Sequence, residues 1–304
     1  MVLESPRPFI FPSGAGPPRP PDVATMPPRI PTGVPDFDFL TGGIPCGSVV
    51  LLFGEAGAGH QEFALTSAVH LMLHYDDPRL HRFFLGSAKG PFVYPESVVY
   101  VSTSRSEDQV IGEVRSSFEP LYGDVLVRHL QFRDLSAAYF RDSVVPATWA
   151  AVPSPLLGTG DGGPPVDGGP LRALAESVDP AGARNLVVVD SLTDLLIRRG
   201  VDGSDVLTLL KGLRRRAKEW SGIVYLLLSE GVAPAPMEQA VIDSVDGVLH
   251  FRWSSSPSRS HRQRSMMVEK FMPVLSRSST DYNGRFVIGV NHRSGLVTTQ
   301  YERI

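Results

Sequence analysis

From Gly54 to Gln61 the chain reads Gly-Glu-Ala-Gly-Ala-Gly-His-Gln, a glycine spacing that lets several backbone N–H groups converge on one anion. In a phosphate-binding loop of this kind a Lys follows the last glycine and reaches the terminal phosphates, and the next residue, Ser or Thr, ligates Mg²⁺ through its hydroxyl. Here His60 and Gln61 hold those two positions. Gly54, Gly57 and Gly59 keep the cradle, while both reagents are replaced. An imidazolium at His60 would return some positive charge, but a helix N-terminus disfavours that form and an ordinary His is mostly neutral near pH 7. A second candidate is Asp190, which closes the apolar run from Asn185. A carboxylate there reads by itself as a plain strand-to-loop cap, and it also has the chemistry of a Mg²⁺ ligand.

Such a loop needs a strand before it and a helix after it. Val49 to Phe53 is apolar throughout, and Glu62 to His74 reads as a helix with its N-terminus toward the anion. Val98 to Ser102, Val125 to Phe132, Asn185 to Ser191 and Ile223 to Ser229 read as further strands. Glu107 to Phe118, Leu171 to Val178 and Asp205 to Trp220 read as helices; in the last, Val206, Leu209, Leu210, Leu213, Ala217 and Trp220 share one side. Residues 248–297 alternate like strands and hairpins. The pattern predicts an α/β fold with a mostly parallel central sheet flanked by helices and an antiparallel C-terminal hairpin extension. Residues 1–28 are rich in Pro and are expected to be a disordered arm, with one domain over 29–304. Within it, 75–96 and 153–170 read as insertions, the second Gly- and Pro-rich.

At 304 residues and 42% hydrophobic the chain can bury a sizeable core, and its net charge of −3 creates no global field that would recruit nucleic acid or a membrane. The single cysteine, Cys46, excludes an intramolecular disulfide and a Cys-based zinc site, and in its Pro-Cys-Gly turn any small residue would serve. No apolar run spans a bilayer and the N-terminus lacks the apolar core of a signal peptide, so a cytoplasmic protein is expected. The histidines lack the paired helical spacing of a metal site.

Gly33-Val34-Pro35-Asp36-Phe37-Asp38-Phe39-Leu40-Thr41-Gly42-Gly43-Ile44-Pro45-Cys46-Gly47-Ser48 resembles the entry segment of the KaiC-like branch of the RecA/RadA superfamily. The likeness continues in order through Tyr100 to Asp108, Val187 to Leu195, Leu226 to Glu230 and Val245 to Val248. It ends with Val268-Glu269-Lys270, Phe286 to Ile288 and Gly295 to Val297. This resemblance implies a RecA-like core, ATP and Mg²⁺ as ligands, and rings or filaments whose sites lie between subunits. It implies nucleotide contacts at Gly54, Gly57, Gly59, His60, Gln61, Asp190, Ser229 and Lys270, with Asp190 as the metal ligand. Ser229 ends a strand, and its simpler role is backbone capping.

The departures from that family carry equal weight. Two carboxylates follow the second strand in the family and activate the attacking water; Ser104 and Arg105 stand there in this chain. The family's Lys-x-Arg, which reaches a neighbouring subunit's nucleotide, survives as Lys270 with Met272 in the Arg position. Arg105 could supply positive charge and Glu107 or Asp108 a base, although at a helix start these carboxylates serve the dipole. The resemblance thus implies a catalytically degenerate regulatory or scaffolding pseudo-ATPase with weak or no nucleotide binding, partnered by another protein, an active relative or its own copies. The alternative is an ATP-binding recombination or DNA-repair paralogue that uses nucleotide as a conformational ligand; a working ATPase with relocated Lys and base is a third reading. DNA contact would fall to Lys211, Arg214, Arg215, Arg216 and Lys218 on one helix face and to Arg259, His261, Arg262 and Arg264 in a Ser-rich hairpin. Neither run has interleaved aromatics, and the first reads equally as a solvated face.

Overall fold

The computed structural model describes residues 28–86, 88, 90–150, 169–179, 183–254, 262–272 and 284–303. Residues 1–27 of the Pro-rich arm, 153–168 of the second insertion, and Arg259 and His261 lie outside that set.

The entry segment forms β1 (Arg29–Ile30), α1 (Pro35–Thr41) and β2 (Ile44–Pro45), followed by β3 (Ser48–Gly54) and the long α2 (His60–Asp76). After α3 (Pro78–Leu85) come β4 (Val98–Ser102), α4 (Glu107–Ser117), α5 (Pro120–His129), β5 (Leu130–Asp134) and α6 (Ser136–Tyr139). Then α7 (Gly169–Val178), β6 (Leu186–Asp190), α8 (Leu192–Ile197), α9 (Gly203–Ala217), β7 (Ile223–Ser229) and α10 (Ala235–Ser244) complete the alternating part. Four strands end the chain: β8 (Gly247–Ser254), β9 (Gln263–Lys270), β10 (Gly284–Asn291) and β11 (Gly295–Arg303).

One nine-stranded sheet runs β11-β10-β9-β8-β3-β7-β6-β4-β5. β8 through β5 in that order are parallel, and β9, β10 and β11 extend the sheet antiparallel. The inner strands β3, β4, β6 and β7 are apolar except at their ends because helices cover both faces. Successive side chains of a strand point oppositely, so Val50 and Leu52 join Phe63 and Leu71 of α2, whereas Val49, Leu51 and Phe53 join Val206 and Leu210 of α9. Each such side chain, when fully buried, contributes about 1.5–3 kcal/mol, which concentrates the chain's stability in these two layers.

One local expectation is corrected. Val125 to Phe132 is not a strand: α5 runs to His129 and β5 begins at Leu130. Pro120 starts that helix, and Tyr122, Val125 and Leu126 are buried at three- and four-residue spacing, a helical face that outweighs the local apolar run. The stretch 75–96 contains α3, capped by the Asp77 carboxylate and burying His81 and Phe84, and the Val93 N–H donates to Arg29 O at 2.8 Å. Among the described residues no helix is long and apolar enough to cross a membrane.

The entry segment is held to the core by polar knots. Buried Asp38 accepts from the Thr32 N–H (2.7 Å) and hydroxyl (2.9 Å) and from the Gly33 N–H (2.8 Å); burial pushes its carboxyl up to about 7 against those donors. Gly47 leads into β3 with φ 69°, and a Cβ there would lie 2.5 Å from the Ala217 carbonyl oxygen at the end of α9. Gly47→Ala is therefore expected to lower stability by at least about 1–3 kcal/mol, read as a fall in denaturant midpoint. Gly212→Ala on the exposed side of α9, where nothing lies within 4 Å, is expected to be neutral or to stabilise by up to about 1 kcal/mol.

Candidate functional site

Parallel strands bring their carboxyl ends to one edge, and ligands of open α/β sheets bind there. Register places Gly54 of β3 beside Ser229 of β7, and Ser102 of β4 beside Asp190 of β6. The glycine loop spans Glu55 to Gly59 between β3 and α2. Gly57 (φ 71°) and Gly59 (φ 117°) are in the left-handed region that favours glycine, and a Cβ on Gly57 would meet only the Trp253 ring, at 3.8 Å. Several loop carbonyls are engaged: Glu55 O accepts from Ala58 N–H (2.9 Å), Ala56 O from Trp253 Nε1 (3.1 Å) and Gly57 O from Arg264 Nε (2.9 Å). The first-turn amides of α2 have no intrahelical acceptor, so the loop retains the geometry of an anion cradle and fits a phosphate-bearing ligand such as ATP.

The side chains of that cradle carry a different electrostatic arrangement. His60 Nδ1 is buried without a hydrogen-bond partner, and burial holds its imidazole below the ordinary value although Asp190 pulls the other way. His60 is thus neutral at physiological pH and cannot replace a Lys charge. Asp190 Oδ2 accepts from the Tyr100 hydroxyl at 2.6 Å and forms an ion pair with Arg105. The same guanidinium pairs with Glu113, donates to Tyr100 Oη at 2.7 Å, and lies 2.8 Å from the Gln61 amide oxygen in the orientation of that amide which satisfies both groups. Burial opposes the Arg105 charge, but Tyr100, Asp190 and Glu113 outweigh it and hold the group firmly protonated. Arg105 therefore fills the space between the residue at the Mg²⁺-hydroxyl position, Gln61, and the carboxylate expected to hold the ion, Asp190. These donors do not fit Mg²⁺, which needs oxygen ligands and would stand against a fixed positive charge.

The remaining expected site residues are distributed differently. Ser229 does lie beside the loop, but its N–H donates to Thr193 Oγ1 at 2.9 Å, a backbone cap. Lys270 does not join the cluster. It pairs with Val248 at the far end of β8, and its ammonium donates to the carbonyls of Ile242 (2.8 Å), Asp243 (3.0 Å) and Val245 (2.8 Å), closing the end of α10. Ser104 is exposed, within 3.4 Å of Asp194. Glu107 and Asp108 sit exposed in the first turn of α4, behind a capping box made by Ser106 and Gln109.

Sequence reasoning missed a second polar group beside the loop. The Glu230 N–H donates to Gly54 O at 2.8 Å, and the Glu230 carboxylate meets His250 Nε2 at 2.9 Å and Arg252 at 2.6 Å. The other nitrogen of buried His250 meets Glu269 at 2.6 Å. Burial works against the imidazolium, but two carboxylates outweigh it and raise the His250 pKa. Alternate positions His250 and Arg252 on β8, facing Glu269 on β9, were the available signal. Trp253 was also missed: Arg262 and Arg264 lie 5.1 and 5.0 Å from its ring, so the aromatic absent from the basic run is supplied by the paired strand. In the helical run, Arg214 and Lys218 both pair with Asp246, and Arg216 with Asp179 and Glu219.

No family model matches the sequence and no curated protein matches it. Among solved structures, a KaiC-like protein of the hyperthermophilic archaeon Pyrococcus horikoshii superposes with TM-score 0.58 at 18% identity, covering 90% of this chain and 100% of the other. The flagellar accessory protein FlaH of Methanocaldococcus jannaschii superposes with TM-score 0.57 at 15% identity, again over 90% and 100% of the two chains. The chain has the KaiC-like, RecA-type fold. The mostly parallel sheet with its antiparallel β9 to β11 extension matches that fold.

The His250 group contributes stability that is complete below its unfolded value of 6.5 and is lost as pH rises through the raised folded value. The stability difference between the wild type and His250→Asn is accordingly expected to be largest below about pH 6.5 and to shrink as the pH rises through the raised folded value, as measured by denaturant unfolding at each pH.

Proposed function

We propose that this protein is a catalytically degenerate, KaiC-like regulatory or scaffolding pseudo-ATPase with weak or no nucleotide binding, working in the cytoplasm through a protein partner, an active relative or its own copies. The observation that carries this reading is the Arg105 guanidinium on Asp190, in the position where the related ATPases keep a water-activating carboxylate. Phosphoryl transfer depends on a cation at the terminal phosphates, a metal ion and a group that orients the nucleophile. At this loop His60 is neutral, Asp190 is neutralised by the chain itself, and Ser104 is no base. What remains is the amide cradle of Gly57 to Gln61, which fits binding of a phosphate-bearing ligand without turnover.

A second reading is favoured by one feature. Arg262 and Arg264 flank the Trp253 ring beside the loop, a pairing of cation and aromatic that suits single-stranded nucleic acid. It supports the recombination or DNA-repair alternative through residues 259–264, whereas the pairing of Arg214, Arg216 and Lys218 with carboxylates weakens it for 211–218.

Two measurements separate these readings. His60→Lys with Gln61→Thr is expected to release phosphate from ATP at no more than a weak rate, because positions 104 and 105 still lack a base; strong turnover would defeat the pseudo-ATPase assignment. Filter binding of single-stranded DNA is expected to show no retention by the wild type at low or high salt, and salt-sensitive retention lost in Trp253→Ala would favour the second reading.

A further inference from the structure

Asp190 is the residue at which this fold would be expected to hold a divalent ion, and the structure gives it a different partner. Its Oδ2 accepts a hydrogen bond from the buried Tyr100 hydroxyl at 2.6 Å and forms an ion pair with Arg105, which also donates to Tyr100 Oη at 2.7 Å. Arg105 and Asp190 are both mostly withdrawn from solvent, with side chains 26% and 15% exposed, so water screens their attraction only in part. Glu113 from α4 and the amide oxygen of Gln61 from α2 complete the ring around the guanidinium. Four secondary-structure elements, β4, β6, α4 and α2, therefore supply acceptors to one planar cation, matching the fork geometry that a guanidinium has and an ammonium lacks. A metal ion on Asp190 would have to displace Arg105 or lie within a few ångströms of it, and Gln61 offers no hydroxyl to compensate.

Resting on the reading of this loop as a degenerate phosphate cradle, we infer that Arg105 is a tethered counter-ion that replaces the divalent cation. The site takes no Mg²⁺ or Mn²⁺, and any phosphate-bearing ligand of the cradle is held in its metal-free form. The ligand class is a free polyanion rather than its magnesium complex, and chelators leave its affinity unchanged.

The test uses Mn²⁺ alone, followed by electron paramagnetic resonance on the full chain without nucleotide. Wild type is expected to bind no more Mn²⁺ than Asp190→Asn up to about 1 mM metal, a range that covers weak protein sites. Arg105→Ser combined with Gln61→Thr is expected to create a saturable Mn²⁺ site at least about tenfold tighter than any in the wild type, abolished again by Asp190→Asn. Saturable binding in the wild type that Asp190→Asn removes would overturn the inference. So would a double variant that is folded by circular dichroism and gains no site; should that variant not fold, the wild-type comparison decides alone. No turnover enters the readout, so the two failures are distinguishable. Phosphate release by the wild type would sink the pseudo-ATPase reading alone, and Mn²⁺ at Asp190 without phosphate release would sink this inference alone.

Discussion

A parallel sheet covered by helices on both faces has room for polar side chains only where its strands end. In this chain β3, β4, β6 and β7 are apolar at nearly every position, since Val49 to Phe53, Val98 to Val101, Leu186 to Val189 and Ile223 to Leu228 all face one helical layer or the other. Their polar termini, Gly54, Ser102, Asp190 and Ser229, consequently emerge along one edge. Every charged group of the candidate site is either on that edge or on a helix that starts or ends near it. The constraint is steric and hydrophobic, and it would gather these residues whatever chemistry they performed.

Within that edge, charge decides what the cradle can hold. A single cation on β4's exit, Arg105, meets carboxylates from β6 and α4, and its planar fork reaches both along with the Tyr100 hydroxyl. A guanidinium here makes the local field positive beside Asp190. The neutral, buried His60 adds nothing to that field. The backbone of the loop is meanwhile held in shape by Trp253 and Arg264, which bond its carbonyls, and by Glu230, whose N–H bonds Gly54 O. The β8–β9 hairpin thus holds the backbone of the glycine loop in shape.

The glycine frame, the apolar strand before it, and the replaced Lys and Ser/Thr were all legible along the chain, because each depends on near neighbours. So were α2, α4, α7 and α9, whose apolar spacing is strong enough to read alone. The helix over Pro120–His129 was misread because a short apolar run does not distinguish strand from helix until its packing partners are known. Lys270 was placed by resemblance at a nucleotide, and only the tertiary structure shows its ammonium on the α10 carbonyls.

Sequence by itself therefore determined the fold class and which residues, His60 and Gln61, follow the glycines, since both follow from residue type and local period. Only the tertiary structure decided which groups meet beside them. Arg105 and Asp190 are separated along the chain by helices α4 to α7 and strand β5, and Gln61 and Glu113 lie on α2 and α4. Their meeting depends on strand order, because β4 and β6 are neighbours in the sheet and not in sequence, and a guanidinium's reach is set by that spacing.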